Sequence, residues 1–191
     1  MAEAEGAILA HSQWAFDTRG DGDRLYRIGK GTRLGTAHIA DLRAHGVREV
    51  VVARLEPSDL HEDEAAARIA VALAGPGLSV DGAATGRVNL RAEGPGIVAV
   101  DAAAIEAVNR IAPAITVATV APWARLQARG LAVTVKIIPF AARAADVARA
   151  GDLGQGAVRL MPPVLSSASL IETRVDDATP PDKGRRAMAG R

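Results

Sequence analysis

The chain has 191 residues, of which 49% are apolar and only 3% aromatic, with a formal net charge of +1 and no cysteine. That length suits one domain, or one domain and part of another, with a core of aliphatic side chains. The missing cysteine excludes disulfides, thiolate metal sites and a cysteine nucleophile, and the near-neutral charge argues against nucleic acid or a membrane surface as the main partner.

No stretch approaches the roughly 20 apolar residues that a bilayer span needs. No basic region followed by an apolar run opens the chain, so no signal peptide is expected and the cytoplasm is the expected compartment. Residues 6–12 read as a short strand. A turn-rich loop, Arg19-Gly20-Asp21-Gly22-Asp23, follows. Its Arg-Gly-Asp also occurs in adhesion ligands, a role not expected without a secretion signal. Residues 25–28 read as a second strand, and Lys30-Gly31-Thr32 turns the chain. A helix is expected over 36–45, with Ile39 and Leu42 on one face and Gly46 as its stop, then a strand over 47–53.

Pro57-Ser58-Asp59 should open the next helix, with Ser58 as N-cap and Asp59, Glu62, Asp63 and Glu64 in its first turns, where the helix dipole favours negative charge. Its apolar face would run through Ile69, Val71 and Leu73 to Gly75-Pro76-Gly77. His61 among these acids is either part of a solvated helix start or a metal ligand. The second histidine of a zincin pattern is absent.

Residues 78–92 read as irregular extended structure. Within them Arg87 and Asn89 alternate with Val88 and Leu90, which puts both polar side chains on one strand face. Such a face either lines a polar pocket or meets solvent. Gly94-Pro95-Gly96 leads into a strand at 97–100, Asp101 should cap a helix over 102–111, and 115–120 is a strand. Residues 122–128 make a connection or an edge strand. The longest apolar run, 132–140, is rich in β-branched residues and reads as the central strand. Lys136 interrupts it, either as a snorkelling side chain or as a cation aimed at an anion.

A short Ala-rich helix is expected over 141–150. The glycines at 151, 154 and 156 and the pair Pro162-Pro163 mark 151–168 as a linker. A strand is expected over 169–175, and a helix start near Pro181-Asp182 in a polar, basic end. That end reads as a frayed tail or as the first elements of an incomplete domain. The expected fold class is α+β: a β-rich accessory domain with short helices over 1–150, then the start of a truncated α/β domain over 169–191. No Gly-rich phosphate loop or Gly-x-Ser-x-Gly elbow occurs, and His11, His38, His45 and His61 show no ligand spacing.

Several segments taken together resemble a known family. They are Gly6-Ala7-Ile8-Leu9-Ala10-His11-Ser12, Lys30-Gly31-Thr32-Arg33-Leu34, residues 42–57, His61-Glu62-Asp63-Glu64-Ala65-Ala66, Thr85-Gly86-Arg87-Val88-Asn89-Leu90 and Thr134-Val135-Lys136-Ile137-Ile138-Pro139-Phe140. The set resembles the N-terminal region of bacterial molybdopterin-binding proteins related to molybdopterin molybdenumtransferase. In many of these a nucleotidyltransferase-like domain follows on the same chain.

The resemblance implies a role in molybdenum cofactor biosynthesis, with molybdopterin or its nucleotide form as ligand and molybdate or Mg as further ligands. It implies a pterin-binding α/β domain beginning near Val158, with Leu170-Ile171-Glu172-Thr173-Arg174 as its first strand and Asp182-Lys183-Gly184 leading to its first helix. The loops that form the family's pocket have no counterpart here, so no catalytic residue carries over. Arg87, Asn89 and Lys136 lie in the segments that match best. They either face the pterin phosphate or molybdate as substrate-binding residues, or match because they fold the domain. Three roles follow: the N-terminal portion of a molybdopterin-binding protein, a non-enzymatic assembly module that forms a homodimer or docks on a separate nucleotidyltransferase-like chain, or an inactive truncated remnant.

Overall fold

Two separate apolar cores organise the chain, one formed by residues between 4 and 52 and a larger one formed by residues between 60 and 160. The computed structural model describes residues 2–19, 24–169, 171, 186 and 187. The loop at 20–23 and nearly all of the strand and helix expected beyond 169 lie outside the described residues.

The smaller core is enclosed by β1 (Ile8–Leu9), β2 (Gln13–Phe16), β3 (Leu25–Ile28), α1 (Thr36–Ala44) and β4 (Val52–Ala53). β1 pairs with β4 and β2 with β3, each antiparallel. Leu9, Ala15, Ile28, Leu34, Ile39 and Leu42 fill the interior. The strands expected over 6–12 and 47–53 shorten to two residues each, because each is the other's partner in a sheet of only two strands. Val51, in the middle of the valine run, is 64% exposed.

The larger unit follows as β5 (Asp59–His61), α2 (Glu62–Leu73), β6 (Leu78–Val80), β7 (Arg87–Ala92), β8 (Gly96–Val100), α3 (Ala102–Asn109), β9 (Ile115–Thr119), β10 (Arg125–Leu126), β11 (Leu131–Ile137), β12 (Ala141–Arg143), α4 (Ala144–Gly154) and β13 (Val158–Met161). Its main sheet has four antiparallel strands in the order β6-β7-β11-β9, and β11 sits inside it as the central strand. A second sheet, β10-β8-β13, and the pair β12-β5 complete the unit. α2 packs on β7 and β11, α3 on β9, and α4 on both helices. Val88, Leu90, Val133, Val135 and Ile137 face them, together with Ile69, Leu73, Val108 and Val147. The fold is α+β, as expected, and among the described residues no helix is long and apolar enough to cross a membrane.

Several boundaries differ from expectation, each for a physical reason. Residues 59–61 are drawn into a strand against β12, so α2 begins at Glu62 and its N-cap is His61, not Ser58. His61 Nδ1 accepts from Asp63 N at 3.3 Å. Val71 is 63% exposed, because it lies about 200° around the helix from both Ile69 and Leu73. The buried face is Ala65, Ala66, Ile69, Ala70 and Leu73. Residues 78–92 are two paired strands, and residues 141–143 form a strand, not the start of a helix.

The linker expected over 151–168 gives way to structure in its first half. α4 continues to Gly154, where a Cβ would lie 2.7 Å from Leu73 Cδ2, so this glycine serves close helix packing and not flexibility. β13 then enters the sheet beside β8. Its outer edge is held by the first Gly-Pro-Gly turn: Gly75 N donates to Val158 O at 2.7 Å, and Leu160 N donates to Pro76 O at 2.9 Å. The second Gly-Pro-Gly turn delivers β8 to its inner edge.

Candidate anion-binding face

Strand alternation builds the site. In β7, Val88, Leu90 and Ala92 are buried against the helices, so Arg87, Asn89 and Arg91 point to the opposite, open face of the main sheet. In β11 the same alternation buries Val133, Val135 and Ile137 and turns Thr134 and Lys136 outward. Register then decides which outward residues meet. Lys136 stands opposite Arg87 and Thr134 opposite Asn89, while on the other side Thr116 stands opposite Lys136. The three residues singled out from sequence thus form neighbouring positions on one face.

Ile137 N donates to Gly86 O at 2.7 Å, so β11 turns the backbone groups of its odd-numbered residues toward β7. Arg87 and Lys136, one residue on, are therefore a non-hydrogen-bonded pair, the kind in which side chains lie closest. Both are exposed, and neither has an ion pair among the described residues. Arg91, next on the same face, is different: its Nε donates to Asp81 Oδ2 at 2.7 Å and its Nη1 to Arg129 O at 3.1 Å. Thr134 Oγ1 donates to Asn89 Oδ1 at 2.9 Å, so the Asn89 carbonyl is engaged and its amide NH2 is the donor it offers to a ligand.

The start of β7 is fixed from the helix side. Gly86, at φ +70°, has Ile137 O only 2.6 Å from where a Cβ would sit. Its N–H donates to Asp63 Oδ1 at 2.7 Å. At the start of α2, His61 caps, Asp63 holds the turn that aims Arg87, and Glu64 pairs with Arg68. Glu62 is buried, and burial, with Asp63 nearby, raises its pKa against the opposing pull of His61 and Lys30. Among the described residues no group of three or more His, Asp or Glu gathers to hold a metal.

Three features were not legible in the sequence. Asp41, fully buried, accepts hydrogen bonds from Thr18 and Tyr26 and ties the β2–β3 hairpin to α1. Asn109 binds both backbone groups of Val117 on the free side of β9. Ile97, Trp123, Met161, Val164 and Leu165 line an exposed apolar groove of about 430 Å³ on the outer face of the second sheet. Comparison with protein-family models, curated proteins and solved structures finds no match to this chain.

Proposed function

We propose that this chain is an accessory module of molybdenum cofactor biosynthesis whose open sheet face holds the phosphate end of molybdopterin. The carrying observation is the cross-strand opposition of Arg87 and Lys136, neither of which has an ion-pair partner among the described residues. Like charges directly opposite one another weaken a sheet, and an anion between them offsets that cost. The Arg guanidinium offers a planar fork and the Lys ammonium a point charge, both suited to a phosphate monoester, with the Thr116 hydroxyl and the Asn89 amide beside them. The family resemblance supplies the identity of the anion. Among the described residues the outward positions of these strands carry no aromatic side chain for a pterin ring, so the proposal extends to the phosphate only, as binding with no catalytic step assigned.

The test is titration of molybdopterin, and separately of inorganic phosphate, into the chain and its Arg87→Ala and Lys136→Ala variants. Each substitution should weaken binding about tenfold or more, since a hydrogen bond to a charged group contributes about 1.5–3 kcal/mol. Lys136→Thr is the sharper variant. It should bind as poorly while stabilising the sheet by a few tenths of a kcal/mol, roughly the scale of cross-strand pair effects. Unchanged affinity in folded variants would leave these residues as a solvated face.

A second reading, the non-enzymatic assembly module, is favoured by the exposed apolar groove at Trp123, which is 67% exposed. Sedimentation of the chain alone and with a nucleotidyltransferase-like chain tests it. A monomer that binds nothing would remove that reading.

A further inference from the structure

Trp123 holds a backbone conformation that its side chain does not favour. Pro122 and Trp123 form the centre of a turn in which Ala124 N donates to Ala121 O at 3.1 Å. Trp123 sits at φ +67°, in the position where a turn led by proline ordinarily takes glycine. Two hydrogen bonds to β8 fix it there: Trp123 N donates to Val98 O at 2.7 Å, and Val98 N to Ala124 O at 2.9 Å. The ring is exposed, so burial of the indole does not offset the strain. A strained residue that the core does not require points to a use for its side chain.

The ring divides the outer face of the second sheet. On its Ile97 and Met161 side lies the apolar groove. On its other side lies a cavity of about 430 Å³ whose lining includes Ala99, Asp101, Leu153, Gln155 and Arg159. Register explains its shape. Arg159 of β13 stands opposite Ala99 of β8, and Trp123 is bonded to β8 from the opposite side. Two large side chains thus flank β8, and the small Ala99 between them leaves the floor low. Positions two strands apart are separated by about 10 Å, twice the strand spacing. A flat ring in contact on both faces needs about 7–8 Å of that width. The walls do not close on each other: among the described residues Arg159 and Gln155 have no hydrogen-bond or ion-pair partner, and Arg159 makes no contact with the Trp123 ring. Asp101 Oδ1 accepts from Ala104 N at 3.0 Å as the cap of α3, which leaves Oδ2 for a ligand.

We propose that this cavity binds a guanine base, its ring sandwiched over Ala99 between the Trp123 indole and the Arg159 guanidinium. Both walls suit a nucleobase: indoles and guanidinium planes each stack on it. The polar end selects the edge. A carboxylate only accepts, so Asp101 meets the adjacent N1–H and amino donors of guanine, while the Gln155 amide donates to its carbonyl oxygen. Adenine presents an acceptor at N1, which Asp101 repels. The inference does not depend on the anion-binding reading of the main sheet, and the uncharged nucleoside keeps that face out of the test.

The chain has two tryptophans, so its amide spectrum shows two indole N–H signals, and Trp14→Phe assigns the one from Trp123. Guanosine and adenosine are titrated separately, with circular dichroism recorded for every variant. Guanosine should shift the Trp123 signal saturably and bind more tightly than adenosine. Arg159→Ala should weaken guanosine about fivefold or more, the scale of lost base stacking, and Arg159→Lys, which keeps the charge without the plane, should weaken it too. Asp101→Asn keeps the helix cap but offers a donor where the carboxylate accepts, and should remove the preference for guanosine. Trp123→Gly suits the turn, so it should hold or raise the urea midpoint while guanosine, followed by its own line broadening, no longer binds. No saturable shift in the folded chain, unchanged affinity in folded Arg159 variants, a preference that survives Asp101→Asn, or a lowered midpoint in Trp123→Gly would each overturn the proposal.

Discussion

Tyr26 is the chain's single tyrosine, so its ionisation can be read by tyrosinate absorbance without a competing signal. Its hydroxyl donates to Asp41 Oδ2 at 2.6 Å, while Asp41 Oδ1 accepts from Thr18 N at 2.9 Å and Thr18 Oγ1 at 2.5 Å. Burial raises the Tyr26 pKa, and the hydrogen bond to Asp41 and that carboxylate's charge raise it further, to about 12 from an ordinary 10.0. Burial pushes the Asp41 carboxyl up, but the hydrogen bonds from Thr18 and Tyr26 outweigh it and hold that carboxyl below its ordinary value.

Asp41→Asn removes the charge and keeps the size. Two units at 1.36 kcal/mol each set a ceiling of about 2.7 kcal/mol on what the environment contributes to keeping Tyr26 neutral. Solvent reaches the half-buried ring, so about 1–2 kcal/mol is the expected loss. The wild-type midpoint should sit near 12 and the variant's should move toward 10.0, with dichroism recorded to confirm that the fold persists. The signs follow. Tyr26 is raised in the folded chain, so its contribution is complete below the unfolded value and is lost as pH rises toward about 12. Asp41 is lowered, so its contribution is present above the ordinary carboxylate value and is lost as pH falls through the folded one. A wild-type midpoint at 10.0 with the unit folded would refute the coupling.

Two further substitutions probe the larger unit. Asn109 Nδ2 donates to Val117 O at 2.9 Å and its Oδ1 accepts from Val117 N at 2.7 Å, closing the free edge of β9 as a partner strand would. Asn109→Ala should cost about 2 kcal/mol in urea unfolding, for two hydrogen bonds, and should add concentration-dependent species in light scattering as the edge opens. Gly154→Ala places a methyl 2.7 Å from Leu73 Cδ2 and 3.3 Å from Val108 Cγ2, and should cost about 1–3 kcal/mol in the same unfolding assay.

What the sequence revealed of the fold follows the reach of its signals. Periodicity located β3, α1, β8, α3, β9 and β11, and the Asp101 cap is in place, its side chain accepting from Ala104 N at 3.0 Å. These depend on contacts within a few residues. The failures lie where a distant partner decides. Residues 59–61 carry helix-start chemistry, yet they pair with β12, about 80 residues away in the chain, and the cap shifts to His61. Gly154 belongs to a glycine-rich run that reads as flexible, because sequence does not show that Leu73 and Val108 press against that position.

The same division holds at the candidate site. Alternation alone sets Arg87 and Asn89 on one face, and Lys136 stands out as a charge within an apolar run. Their juxtaposition depends on the register between β7 and β11. The turn holding Gly86 fixes that register, itself held by Asp63 from a helix more than twenty residues earlier. A slip of one residue would turn Lys136 inward against α2 and set Ile137 in solvent, so the buried face protects the register and with it the cation pair. The opposition of Arg87 and Lys136 is thus imposed by the core on the far side of the sheet. Solvent-facing charges are free to vary without disturbing that core, so the sheet does not require two cations at these positions. Binding an anion is the role proposed for the pair.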